Sequence, residues 1–363
     1  MVLSIVNYDQ NHNDQNNRTS VRNFFNKYFF SYSIYNALRK SLRNYNPDII
    51  HLHNNYLYSS SVIAACHGYT VIQTVHDFGM VCFNSWCVNR SEGTQCLCIS
   101  QKCYESKCIQ RKYYYVKNLA FKVRRLIGNH IIQMFVVPSR ALIASMEAYG
   151  YKNLIYLPNF SPYSIKQRTL TYCLSNTFNV LYVGRLQPEK GVDYLILALS
   201  EIMSQTQNIM LHVVGVGPEE PRLKKILKEL QLENNVCFHG YIDEKDLCML
   251  YESACVVVIP SVWMENNPLV AFEAMAYGIP IIASNIGGLP DIIEDGKDGF
   301  LVRPRNSTDI VEKILLFKEN PETVSDFGNR LKVKVNTKFS LERYSDKMKK
   351  LYQEALNKSS KPM

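Results

Sequence analysis

Glycine is missing from the first 67 residues of this 363-residue chain; the first is Gly68. A phosphate-binding turn after an opening strand needs backbone that approaches its ligand closely or takes positive φ, and glycine supplies both. Residues 1–67 hold no such turn. Long apolar runs are missing too: no stretch of roughly 18 apolar residues occurs, so no transmembrane helix is predicted. The start of the chain lacks the basic-then-apolar pattern of a secretory leader. Together these absences predict a cytoplasmic location. Acidic residues are scarce in one region. Residues 101–170 carry 12 Lys/Arg against Glu105 and Glu147, a balance of 12 − 2 = +10, while the whole chain is +9.

What is present is ordinary globular composition, 47% hydrophobic and 20% charged. The length suggests about two domains, each able to bury a core without staples. From Pro47 onward short apolar runs alternate with amphipathic segments. The runs 48–53, 70–77, 133–139 and 153–159 read as buried parallel strands, with helices near 57–66, 111–128 and 139–149. A second series follows: strands at 179–186, 209–215, 235–241, 255–261 and 279–284, with helical segments between. Two such series predict two doubly wound Rossmann-like α/β domains facing a cleft. The expected divisions are a first domain over 1–160, a polar linker over 161–178, a second domain over 179–340 and a helix over 341–358. Ligands of such sheets bind beyond the C-terminal strand ends, which places the site in the cleft.

The basic region contains IQRKYYYVKNLAFKVRRLIGN. Ile109, Tyr113, Val116, Ala120, Val123 and Ile127 recur at helical spacing, and Arg111, Lys112, Lys117, Lys122, Arg124 and Arg125 fill other positions. This pattern fits a core-packed helix with a solvated basic face, or one lying on an anionic membrane surface over 109–128. No nucleic-acid motif accompanies the charge. Of 11 cysteines, six fall between Cys82 and Cys108. Their spacing lacks the C-x2-C of common zinc sites. A structural zinc on Cys82, Cys96, Cys103 and Cys108, reduced thiols in a packed loop, and disulfides all remain open. Cys237 and Cys255 lie in apolar runs and are expected to be buried thiols.

Candidate chemistry concentrates in the second half. GRLQPEKG (184–191) follows a strand and carries Arg185 and Lys190, a planar fork and a point charge suited to a diphosphate. VVGVGPEE (213–220) puts Gly215 and Gly217 at the next strand end, as often a tight turn as a ligand loop. Tyr241 follows the third strand, where it can line the cleft. His239 beside it reads equally as a structural histidine. In PSVWMENNPLVAFEAMAYGIPIIASNIGG (260–288), Pro268 sits where a helix begins, its preferred first position. The backbone N–H groups of Asn266, Asn267 and Leu269 cluster there and favour an anion. Glu273 lies within the helix among apolar neighbours, where a carboxylate needs hydrogen bonds such as a ribose diol offers. Glu265 lies in the loop and can meet another part of the same ligand.

ENNPLVAFE resembles the E-x7-E motif of the family-4 glycosyltransferases, retaining enzymes with the two-domain GT-B fold. VGRLQPEKGVDYLILAL, VVGVGPEE, VCFHGYI and GIPIIASNIGGLPDIIEDGKDGFLV resemble that family in the same order, densely over 178–305 and loosely over 47–160. The resemblance implies that Arg185 and Lys190 hold the donor diphosphate, that Glu273 binds the ribose and that Glu265 contacts the transferred sugar. TVHDFGMVC (74–82) is similar to the family's His-Asp strand end, implying that His76 approaches the donor sugar and Asp77 shapes the site. The cysteine-rich segment 82–108 resembles an insertion of one subgroup, and the last helix the family's crossover helix. The implied donor is a nucleotide-diphosphate sugar, with no metal needed for catalysis. The implied acceptor is a lipid-linked or oligosaccharide hydroxyl in surface polysaccharide or glycolipid assembly, at the inner face of the membrane. Members normally open with a strand and a glycine-rich loop; here the first domain reads as short at its start. Two alternatives follow: a weakly active or non-catalytic donor-binding protein, and another GT-B enzyme such as a nucleotide-sugar epimerase.

Overall fold

The computed structural model describes residues 29–53, 60–85, 87, 96, 99–100, 102–166 and 177–359. The MVLSIV strand and the polar loop 9–17 expected from the sequence lie outside the described residues, as do 167–176 of the expected linker.

The first half runs α1 (Tyr32–Tyr45), β1 (Ile49–His53), α2 (Ser61–Ala65), β2 (Thr70–Thr74), α3 (Arg111–Ile131), β3 (Met134–Val137), α4 (Arg140–Ala148) and β4 (Leu154–Tyr156). Among the described residues its four strands are parallel in the order β1-β2-β3-β4. The second half runs β5 (Phe178–Val183), α5 (Val192–Met203), β6 (Ile209–Val214), α6 (Glu220–Glu229), β7 (Val236–Gly240), α7 (Glu244–Ser253), β8 (Val256–Ile259), α8 (Leu269–Tyr277), β9 (Ile281–Ser284), β10 (Gly299–Val302), α9 (Ser307–Glu319), α10 (Pro321–Lys338) and α11 (Leu341–Ser359). Its six strands are parallel in the order β10-β9-β8-β5-β6-β7. The sequence reading named four of these elements nowhere, α9 and α10 among them. Another is β10, whose GFLV is too short to show a period. The last is α1, whose start is marked by Ser31 accepting from the Ile34 N–H.

Central strands are buried on both faces, as continuous apolar runs require when helices cover both sides. β8 and β9 are buried at every position. One apolar cluster runs through both halves, joining Val71, Phe135 and Val137 to Leu181, Val257 and Ile281. On the other face of the first sheet, α11 lays Met348, Leu351 and Ala355 against Ile72, Met134, Val136 and Leu157. Burying Met348 and Leu351 contributes about 1.5–3 kcal/mol each. The end of the chain is thereby fixed to the sheet it left some 200 residues earlier, counting from β4 to α11.

Several sequence expectations need correction. In α3 the buried side chains are Tyr114, Ala120 and Arg124, whereas Tyr113 is exposed. Ile109 and Ala120 are buried as expected, but Tyr114 takes the place of Tyr113 and Arg124 joins the buried face. Cys237 is exposed, because β7 is the edge of its sheet; Cys255 is buried as expected. Pro268 is the residue before α8 rather than its first, with extended backbone at φ −68° and ψ 129°. No described helix is long and apolar enough to cross a membrane.

A candidate donor site at the seam of the two sheets

The loop leaving β5 ends in a single helical turn, Pro188–Lys190, closed by Gly191 at φ +67°. A side chain at Gly191 would meet the Pro260 carbonyl oxygen at 2.1 Å, so only glycine lets this turn lie against the exit of β8. The Val262 N–H bonds the Glu189 carbonyl at 2.9 Å and locks the two loops together. Lys190 is thereby brought to Glu265: its Nζ donates to Oε1 at 2.6 Å. Ser261 Oγ donates to the same oxygen at 2.6 Å. Glu265 is 5% exposed. The ammonium also sits 4.8 Å from the centre of the Trp263 ring. Burying a carboxylate requires this kind of pairing and hydrogen bonding. Arg185 extends into solvent with no carboxylate partner among the described residues.

Gly215 and Gly217 face inward rather than outward. A side chain on Gly215 would meet the Gly184 carbonyl oxygen at 1.9 Å, and one on Gly217 that of Leu186 at 2.1 Å. Their smallness packs the β6 loop onto the β5 loop. Tyr241, 88% exposed, stands clear of both.

Asn266 and Asn267, just before α8, join the two halves. Ser139 Oγ, before α4, donates to Asn266 Oδ1 at 2.5 Å, and Asn266 Nδ2 donates to the His76 carbonyl at 2.8 Å. The Asn159 N–H donates to Asn267 Oδ1 at 2.7 Å, and Asn159 Nδ2 donates to the Asn267 carbonyl at 3.0 Å. Both side chains are therefore used as a clasp. The backbone N–H groups of Asn266, Asn267 and Leu269 have no acceptor among the described residues and remain available at the helix start. The Gly288 N–H bonds the Glu265 carbonyl at 2.7 Å, holding the loop from the other side.

Glu273 lies one helical stretch further on. Tyr251 OH donates to its Oε2 at 2.6 Å. Burial pushes the Glu273 carboxyl up, and the tyrosine bond partly offsets this.

From the first half, Asp77 accepts from the Gly79 N–H at 2.7 Å and caps the turn Phe78–Met80. His76 Nε2 lies 2.8 Å from His53 Nδ1. The His53 and His51 rings are 4.3 Å apart. His51 bonds Thr74 Oγ1 and Tyr352 OH, each at 2.7 Å. Burial lowers all three imidazoles, and their mutual repulsion adds to the effect at His51, which falls to about 4, and at His53. They are neutral at pH 7. Sequence reading found His76 but not His51, His53 or Tyr352. The signal was the alternation in HLH, which puts two histidines on one face of a strand beside TVHD.

Within the cysteine-rich segment the Cys96 N–H bonds the Cys87 carbonyl at 2.8 Å. Among the described residues, no three of Cys82, Cys96, Cys103 and Cys108 form a group with metal-ligand separations. The peptide N–H of Cys87 points to Cys82 Sγ at 3.4 Å and that of Ser100 to Cys103 Sγ at 3.4 Å.

Residues 6–160 match the family Glycosyltransferase Family 4, and residues 174–334 match Glycosyl transferases group 1. The chain belongs to the family-4 glycosyltransferases. An uncharacterized glycosyltransferase of Methanocaldococcus jannaschii is 38% identical over 170 residues, covering 46% of this chain and 41% of that protein. The poly(ribitol-phosphate) α-N-acetylglucosaminyltransferase of Staphylococcus aureus is 26% identical over 226 residues, 62% of this chain and 44% of that one. The chain spans less than half the length of these curated relatives. Among solved structures, Anabaena HepE in complex with UDP superposes with a TM-score of 0.69 at 18% identity, covering 88% of this chain and 82% of that one. Sucrose-phosphate synthase from Thermosynechococcus elongatus gives 0.67 at 21%, covering 88% and 76%. This glycosyltransferase chain has the GT-B fold, two Rossmann-like units built on parallel sheets.

Proposed function

We propose that this family-4 chain transfers a sugar from a nucleotide-diphosphate donor to a hydroxyl acceptor, with retention of configuration. The observation that carries the reading is the buried Lys190–Glu265 pair, set beside an open helix start and the exposed Arg185. Lys190 has further N–H donors beyond the one given to Glu265, and these reach the diphosphate. Arg185 and the amides of Asn266, Asn267 and Leu269 complete its cradle. Glu273 takes the ribose hydroxyls, and Tyr241 offers its exposed ring to the base. Gly215 and Gly217 hold the floor of this cradle by packing.

In the transfer step the bond from anomeric carbon to phosphate oxygen breaks. The acceptor oxygen bonds the same face of that carbon, and the acceptor proton passes to the departing phosphate. Glu265 contacts the sugar, neutral His76 orients one of its hydroxyls, and Asp77 holds the His76 loop in shape. Names among the relatives, such as the poly(ribitol-phosphate) enzyme and a putative colanic acid biosynthesis glycosyltransferase of Salmonella typhimurium, favour a surface-polysaccharide or glycolipid acceptor. On α3, the exposed stripe Lys112, Tyr115, Leu119, Lys122 and Leu126 pairs lysines with apolar side chains, the composition of a surface that rests on anionic lipid.

The test incubates the protein with a panel of radiolabelled nucleotide sugars and membrane extract. A labelled glycolipid or polysaccharide whose new linkage keeps the donor's anomeric configuration by NMR is the expected product. Inversion would refute the retaining step. No product or free sugar with any donor would refute the transfer.

A further inference from the structure

β7 is the edge of the second sheet, and it pairs in parallel with β6 so that Cys237 lies opposite His212. Side chains opposite each other in a ladder share a face. The ladder shifts register between Val213 and Val214, with Val214 opposite Gly240. His239 sits at this irregularity, the kind of place where a side chain is re-aimed. The result is a cluster with one ligand atom each from His212, Cys237 and His239, all within 4.8 Å of one another. His212 Nδ1 and His239 Nε2 are 3.0 Å apart and their rings are stacked 5.3 Å apart. The Cys237 thiol is free and exposed, and the two histidines are partly buried.

The geometry points to a metal site at this sheet edge, distinct from the donor cradle, that takes Zn²⁺ or a metal of similar softness on His212, Cys237 and His239. One thiolate and two imidazoles are the donor set such ions select. Zinc–ligand bonds of about 2.0–2.3 Å at tetrahedral angles put nitrogen–nitrogen at about 3.3 Å and nitrogen–sulfur at about 3.6 Å, so small side-chain rotations suffice. Cys237 is on the open side, which leaves the fourth position to water or a further ligand. The ion staples an edge strand to its neighbour. It also acts next to the donor half, because the Gly240 carbonyl accepts from the Gly215 N–H at 2.8 Å.

Co²⁺ reports such a site directly, since a cobalt–thiolate bond gives charge-transfer absorption. The full chain, reduced and metal-free, is titrated with Co²⁺ and then competed with Zn²⁺. The expected result is a charge-transfer band that Zn²⁺ displaces, lost in Cys237→Ser and unchanged in Cys248→Ser. His212→Gln and His239→Gln should each weaken binding by more than about tenfold, the loss seen even when an outer partner of a ligand is removed. The exposed position of Cys237 makes its substitution harmless to folding, and circular dichroism checks this. A Cys237→Ser protein with the wild-type band and stoichiometry would overturn the inference, as would absence of the band in the wild type. The readout needs no nucleotide, so it stands whether or not the transfer reaction is found.

Discussion

Lys190→Ala should destabilise the second half of the chain by about 3 kcal/mol. Removing one partner of a buried ion pair costs about 3–5 kcal/mol, because the other charge is stranded. The stranded group here is Glu265, 5% exposed. Two features pull the figure to the low end. Ser261 still donates to the same oxygen, and the Lys190 side chain keeps 16% of its exposure in the intact protein. The stranding is separable from the loss of lysine packing. In the Lys190→Ala background, Glu265→Gln replaces the carboxylate with a neutral amide that keeps an acceptor for Ser261. About 2 kcal/mol should return, since a hydrogen bond to a neutral group needs no countercharge. The measurement is urea unfolding without nucleotide, compared across wild type, both single variants and the double variant at equal m. A Lys190→Ala protein within about 1 kcal/mol of wild type would refute the reasoning, since it would place the pair in the range of surface ion pairs. Lack of recovery in the double variant would refute it equally.

Acid should weaken the first half over a defined window. An unfolded histidine binds its proton below about pH 6.5, while folded His51 stays neutral until about pH 4. The stability held by the neutral ring is therefore complete above pH 6.5 and is lost as pH falls to 4. About 1–2 kcal/mol is expected after allowing for solvent screening of a partly exposed ring, and thermal midpoints taken across that range check it. Glu273→Ala leaves the buried Tyr251 hydroxyl without its acceptor at a cost of about 1–3 kcal/mol; it should also weaken nucleotide-diphosphate binding by calorimetry, and unchanged affinity would count against Glu273 as a ribose contact. Gly191→Ala combines positive φ with a clash against the Pro260 carbonyl and should lower stability by more than about 1 kcal/mol, read as a drop in the thermal midpoint.

The fold was legible because parallel strands buried on both faces declare themselves as unbroken apolar runs. VVVI and IIAS need no partner to be recognised as core. Helix faces were less legible. On α3 the rings of Phe83 and Tyr104 meet Tyr114 edge-on, so Tyr114 rather than Tyr113 is buried, and Arg124 is drawn in. At the candidate site, the ends of strands were found from loop composition, but the partners of each group were not. Glu265 and Lys190 are 75 residues apart in the chain, and His51 and Tyr352 are 301 apart. No local pattern encodes a pairing of that range. Position at a helix start assigned the Asn266 and Asn267 N–H groups to an anion, and only the side-chain partners reveal the clasp.

That clasp constrains how an anion can be recognised at the start of α8. The amide side chains of Asn266 and Asn267 are committed to Ser139, Asn159 and the His76 carbonyl. Asn266 cannot turn to a phosphate without releasing the first half of the molecule, whereas Asn267 uses only its Oδ1 there and its buried Nδ2 has no partner among the described residues. Glu265 gives Oε1 to Lys190 and Ser261, which leaves Oε2 for the sugar, and its carbonyl accepts from Gly288. An anion arriving here meets main-chain N–H groups, the remaining donors of Lys190, Arg185 and the unpartnered Nδ2 of Asn267. The side chains at 266 and 267 thus hold the seam, while the anion draws on backbone amides. The same short loop carries both tasks, so a ligand that draws on these amides also bears on the bonds that set one sheet against the other.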